Sequence, residues 1–218
     1  VRLSVYVVTN CEADDRLLLR DGAGVTVSGC TLLFDPGSGA VAVATFTGGA
    51  GSTTLEITFD ASADLAAVQA VARQVAFASV SDTPSTAQRS LEVQLSDGDG
   101  GTSNTVTRSM NVVPVNDAPL LDLDADDSSG SLLNDYQASF TEGLGAVLVV
   151  DADATLSDAD HANLASLTIV LTNPQEPGSE ERLSADTSGT ALVAGWPQAA
   201  HALTVSGVGP VAAFQTVR

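Results

Sequence analysis

Short runs in which apolar and polar residues alternate recur along this chain: Leu3, Val5 and Val7; Leu55, Ile57 and Phe59; Leu91, Val93 and Leu95; Leu167, Ile169 and Leu171. A period of two marks a strand with one face buried and the other in water. Between the runs lie Asp35-Pro36-Gly37-Ser38-Gly39, Gly48-Gly49-Ala50-Gly51-Ser52 and Gly98-Asp99-Gly100-Gly101, which supply the turn and positive-φ residues that hairpins need. Many short strands with such turns predict an all-β antiparallel sandwich. One segment departs from the pattern. Ser62-Ala63-Asp64-Leu65 opens like a capped helix, and Leu65, Val68, Val71 and Ala72 follow at helical spacing.

At 44% hydrophobic and 16% charged residues, the chain lies far from the composition of disordered segments, so a folded core is expected. Its 218 residues carry 8 bases, all arginine, against 27 acids, for a formal charge of −19. Binding nucleic acid takes a basic face that neutralises phosphates, and this chain cannot build one. The same charge repels anionic membranes. The longest apolar stretches, Ala40 to Ala44 and Ala146 to Val150, fall far short of the ~20 residues of a membrane span. The chain opens at Val1 without a basic leader or cleavage site, and is read as an excerpt of a longer polypeptide. Cys11 and Cys30 fit either one disulfide between neighbouring strands or two free thiols, and with no histidine nearby they cannot supply a four-ligand zinc site.

An internal repeat organises the chain. Ala66-Ala67-Val68-Gln69-Ala70-Val71 recurs as Ala212-Ala213-Phe214-Gln215-Thr216-Val217, each after an alternating strand, and Leu3 to Asn10 matches Leu167 to Asn173. The first unit is longer between these landmarks, which places an inserted hairpin around residues 22–52. Two units are therefore expected: residues 1–115, lacking opening strands, and residues 116–218, lacking closing strands.

Around the seam the sequence reads Ser96-Asp97-Gly98-Asp99-Gly100, then Val113-Pro114-Val115-Asn116-Asp117-Ala118-Pro119, then Phe140-Thr141-Glu142-Gly143 and Ser157-Asp158-Ala159-Asp160-His161-Ala162-Asn163. At these residues the chain resembles the cadherin-like tandem repeats of large bacterial-type surface adhesins, with their Val-Asn-Asp-Ala-Pro linker. The resemblance implies tandem Greek-key, cadherin- or immunoglobulin-like β-sandwiches, each with one short helical turn. It also implies calcium held at the junction by Asp97, Asp99, Asn116, Asp117, Glu142, Asp158, Asp160 and Asn163. Pro114 replaces the first aspartate of the cadherin linker, and Ala162 replaces the loop glycine.

The residues themselves are suited to that ion. Calcium takes about 6–8 oxygen ligands, which Asp- and Asn-rich turns provide. Between Arg108 and Arg182 the chain holds 14 acids and no base, and crowded carboxylates destabilise one another unless a cation intervenes. The alternative is solvated surface charge, and the run Asp122 to Asp127 is read that way.

Other chemistries find little to use. Twelve positions from Asp97 end on Arg108 and twelve from Asp122 end on Leu133, where an EF-hand requires glutamate. The two histidines, His161 and His201, stand apart, and a chain without lysine has no phosphate-binding P-loop. A sugar cleft would have to be built from Trp196, Tyr6 and Tyr136. The expectation is a non-catalytic, extracellular or cell-surface structural or adhesive module. Its expected partners are neighbouring repeats and a surface glycan or protein ligand, and it contacts neither nucleic acid nor the membrane interior. A carbohydrate-binding accessory module and a passive acidic spacer are the alternatives.

Overall fold

The computed structural model describes residues 1–175 and 180–217. The chain is all-β, with antiparallel sheets and, among the described residues, two short α-helices, and divides into two compact units, Val1–Val115 and Asn116–Arg218.

The first unit runs β1 (Arg2–Thr9), β2 (Asp15–Leu19), β3 (Val25–Ser28), β4 (Thr31–Phe34), β5 (Val41–Thr47), β6 (Leu55–Phe59), α1 (Leu65–Arg73), β7 (Val75–Ser79), β8 (Arg89–Ser96) and β9 (Val106–Met110). Seven strands form one sheet in the order β3-β4-β5-β6-β1-β8-β9, and β2 pairs with β7 in a second ladder. The alternating residues set the register. Leu3 lies opposite Ile57 and Leu95, and Val5 opposite Leu55 and Val93. Leu3 and Val5 are thus flanked by apolar side chains on both sides, which is how cross-strand pairs stabilise a sheet. Leu17 and Leu19 of β2 and Val71 of α1 join them in one buried cluster, so the β2–β7 ladder and the helix form the second layer of the sandwich. Residues 22–52, expected as one hairpin, form a three-stranded meander instead. Gly29 and Cys30 make the two-residue turn from β3 to β4, with Gly29 at φ 58°, and β5 then returns along β4. Both cysteines are free thiols, Cys11 half-buried and Cys30 exposed. Gly49 is required where it stands, because its backbone is at φ 92° and a Cβ would strike the Leu17 carbonyl while its own carbonyl accepts from Leu17 N at 2.7 Å.

The helix begins where the sequence placed it, but its buried face differs in part. Asp64 is the N-cap, with Oδ1 accepting from Ala67 N at 2.8 Å. The inward residues are Ala67, Ala70 and Val71, with Val68 packed beside them, so Val68 and Val71 face the core as expected, whereas Ala72 is exposed and Leu65 is 72% exposed. With about 100° per residue, Leu65 lies about 200° around the axis from Ala67 and cannot share its face. Asp64→Ala is expected to destabilise the first unit by about 1 kcal/mol in chemical denaturation, with Asp64→Ser close to wild type.

The second unit holds β10 (Leu120–Asp122), β11 (Thr155–Ser157), β12 (Asn163–Val170), β13 (Val193–Gly195), a 3-10 turn at Gln198–Ala200, β14 (Ala202–Pro210) and α2 (Val211–Gln215). β10 pairs with β11, and a three-stranded sheet runs β12-β14-β13. Its core is small: Leu192, Leu203, Val205 and Phe214 are buried. Among the described residues no helix is long and apolar enough to cross a membrane.

Candidate metal centre

Two groups of metal-ligating side chains in the second unit bring their ligand atoms within 4.8 Å of one another, among the described residues. The first is Asp158, Asp160 and His161. Just beyond β11 the chain turns back on the Asp158 carboxylate, whose Oδ1 accepts from Asp160 N at 3.0 Å and His161 N at 2.7 Å. That local bonding explains why the segment is a tight turn. His161 Nδ1 lies 3.6 Å from the same oxygen, and the Asp158 side chain is 4% exposed. Asp160 Oδ2 reaches across the unit to accept from the backbone N–H of Asp117.

The second group is Asp124, Asp126, Asp151 and Asp153. The β10–β11 ladder ends with Asp122 opposite Thr155, so the loop leaving β10 and the loop entering β11 emerge side by side. Asp151 N donates to Leu123 O at 2.8 Å, and Ser128 Oγ donates to Asp151 Oδ2 at 2.8 Å. Asp124 is fully buried and closes its own loop, accepting from Ser128 N at 3.0 Å and Ser129 N at 2.8 Å. Hydrogen bonds from Ser129, with further ones from Ser128 and Asp126, hold the Asp124 carboxyl below its ordinary pKa. Partial desolvation, followed by the charges of Asp126 and Asp151, pushes Asp153 above the ordinary value. No arginine pairs with either group among the described residues.

The eight residues marked by the sequence are distributed unevenly. Asp158 and Asp160 share the first group, and Asp117 touches it through its backbone while Asn116 Nδ2 donates to Asp117 O at 2.8 Å. Glu142 is exposed near a turn in which Leu144 N donates to Thr141 O at 3.2 Å, and Asn163 is exposed at the first position of β12; neither belongs to an acidic group. Asp97 and Asp99 stand in the β8–β9 turn of the first unit. The Asp97 carboxylate is turned onto Asp99 N at 2.9 Å and Gly101 N at 3.0 Å, a turn-closing role.

The four-carboxylate group lies partly in the run read from sequence as solvated. A signal was present: the triplet Asp-Ala-Asp occurs at 124–126, 151–153 and 158–160, and all three copies contribute to the two groups. An all-oxygen set suits calcium, magnesium or manganese, whereas the set with His161 also accepts softer divalent ions. Trp196, the residue on which a glycan-binding reading depends, is half-buried and does not line the cavity of this unit. Comparison with protein families, curated proteins and solved structures finds no match to this chain.

Proposed function

We propose that this chain is a non-catalytic extracellular structural or adhesive module built from cadherin-like β-sandwich repeats, and that calcium stiffens its second unit. The observation that carries the cation is the group Asp124, Asp126, Asp151 and Asp153, four carboxylates drawn from two loops with no base between them. A divalent ion bound there ties the loop after β10 to the loop before β11 and offsets their mutual repulsion. Asp158 and Asp160 form a second, smaller group on the opposite end of β11.

The repeat is supported by topology. β1 pairs antiparallel with β6, and the chain passes from β6 into α1; β12 pairs antiparallel with β14, and the chain passes from β14 into α2. The recurring Ala-Ala-Val-Gln and Ala-Ala-Phe-Gln segments lie on those two helices.

The test is thermal unfolding in chelator and in millimolar calcium, with magnesium and matched sodium as controls. Calcium about 100-fold above its dissociation constant adds ~2.7 kcal/mol of stability, so a calcium-specific rise of several degrees is expected. Asp126→Asn with Asp153→Asn should remove most of it, and a full rise in that variant would remove the site. Acidification gives an independent check. Because the folded-state pKa of Asp153 is raised, its penalty is absent below the ordinary carboxylate value and sets in as pH rises through the raised one; the Asp124 contribution is present above the ordinary value and is lost as pH falls through its lowered one. The calcium increment should therefore shrink as pH falls through the raised Asp153 value. If sodium at matched ionic strength reproduces the calcium effect, the acids act only as surface charge in a passive spacer.

A further inference from the structure

In the first unit β1 is hydrogen-bonded on both sides, to β6 and to β8. Leu95, Val93 and Leu91 of β8 lie opposite Leu3, Val5 and Val7 of β1, so every inward position of β1 gains an apolar neighbour from β8. In the second unit β12 occupies the position of β1: it pairs with the strand that leads into the helix. Its other edge has no partner strand among the described residues. Leu167 and Ile169 of β12 line a cavity of about 450 Å³, walled further by Val149, Leu203, Val205 and Phe214. A strand edge unpaired among the described residues, beside a cavity whose walls are mainly apolar but also include Asp151 and Arg182, offers backbone hydrogen bonds and side-chain pockets at once.

We propose that the free edge of β12 and this cavity form a strand-acceptor groove, and that its occupant is an extended peptide strand with apolar side chains at every second residue. The first unit defines the chemistry of that occupant, because Ser90-Leu91-Glu92-Val93-Gln94-Leu95 is the strand that covers the equivalent edge there. The incoming strand pairs antiparallel to β12 and lays its alternate side chains beside Leu167 and Ile169. A compact apolar molecule would fill the cavity but leave the β12 N–H and C=O groups unpaired, and a polar strand would pair the edge but leave the cavity empty. Only an alternating strand satisfies both. This inference rests on the correspondence between the two units proposed above and is independent of the cation.

The test adds a synthetic peptide with the sequence of residues 89–96, Arg-Ser-Leu-Glu-Val-Gln-Leu-Ser, to the full 218-residue protein and follows amide hydrogen exchange by mass spectrometry, in chelator and in calcium. Saturable slowing of exchange in Asn163–Val170 and in the cavity walls is the expected result. A peptide N-methylated on the edge that would face β12 should bind at least about tenfold more weakly, and so should one with serine at its three apolar positions. Both changes are made on the peptide, so the fold of the protein is untouched. No protection of β12, protection of the β9 edge in its place, or equal binding of the parent and N-methylated peptides would overturn the proposal. Absent binding with an intact calcium response overturns the strand acceptor alone. Binding without a calcium response supports the acceptor and removes the cation.

Discussion

Replacing Arg89 with leucine is expected to destabilise the first unit by about 3–5 kcal/mol, measured as a shift in the denaturant midpoint of that unit. Arg89 sits on β8 with no solvent exposure, and Asp15 on β2 is equally inaccessible. The guanidinium uses its whole fork. Nε donates to Asp15 Oδ2 at 3.1 Å, Nη2 to Glu12 Oε2 at 2.6 Å, and Nη1 to the carbonyls of Ser85 at 2.8 Å and Ala87 at 2.7 Å. Hydrogen bonding to Asp15 raises the Arg89 pKa further above its ordinary value, so the group is charged at every accessible pH. The pair joins the seven-stranded sheet to the β2–β7 ladder, and the cost of losing one partner is the buried charge left behind. Leucine at 89 strands Asp15 without a cation and leaves the Ser85 and Ala87 carbonyls without this donor. Two further variants separate that explanation from lost packing. Arg89→Leu combined with Asp15→Leu should recover most of the stability, because an apolar pair of similar size carries no desolvation cost. Arg89→Lys should fall between, since an ammonium cannot reproduce a planar fork with two carboxylates and two carbonyls. A single-variant cost below about 1 kcal/mol would show that the Asp15 charge reaches water by another route.

This pair also shows where sequence reading stops. Period-two alternation identified β1, β6, β8 and β12, because burial of one face is written in adjacent residues; only Leu171 of the four runs falls outside its strand, one residue past β12. Asp64 was legible as a cap for the same reason, since it bonds to a residue three places on. The helix face was read correctly at Val68 and Val71 but not at Leu65, which counts as apolar in any periodicity although the cap places it on the solvent side of the first turn. Arg89 carried no mark of burial. Its partners Glu12 and Asp15 lie more than 70 residues away and meet it only after β8 has joined the large sheet and β2 the small one. The four-aspartate group carries the Asp-Ala-Asp triplet twice, but its assembly is hidden, because two loops 25 residues apart meet through the short β10–β11 ladder, which the alternation does not reveal. Local chemistry was readable in this chain, and chemistry assembled by strand pairing was not.

The second large effect is expected at Phe214. Its side chain is 3% exposed on α2 and forms, with Leu192 and Val205, the buried centre of the second unit. Phe→Ala in a core ordinarily costs about 3–5 kcal/mol, through lost transfer energy and the cavity left behind. Here one side of the residue already borders the 450 Å³ cavity, so fewer packing contacts remain to be lost, and the cost should lie near the lower figure, about 3 kcal/mol. Even that is a large share of the stability of a unit with so few buried side chains. Trp196 is the single tryptophan of the chain and lies in the second unit, so its fluorescence reports that unit alone. Phe214→Ala should bring the Trp196 transition to lower denaturant while the remaining far-ultraviolet signal, dominated by the seven-stranded sheet, unfolds at its original midpoint. The incoming strand proposed above should restore part of the loss, because its side chains enter the same cavity. If Phe214→Ala moves the Trp196 midpoint by less than about 1 kcal/mol, the stability of the second unit resides in its loops, where the cation proposed above would then act.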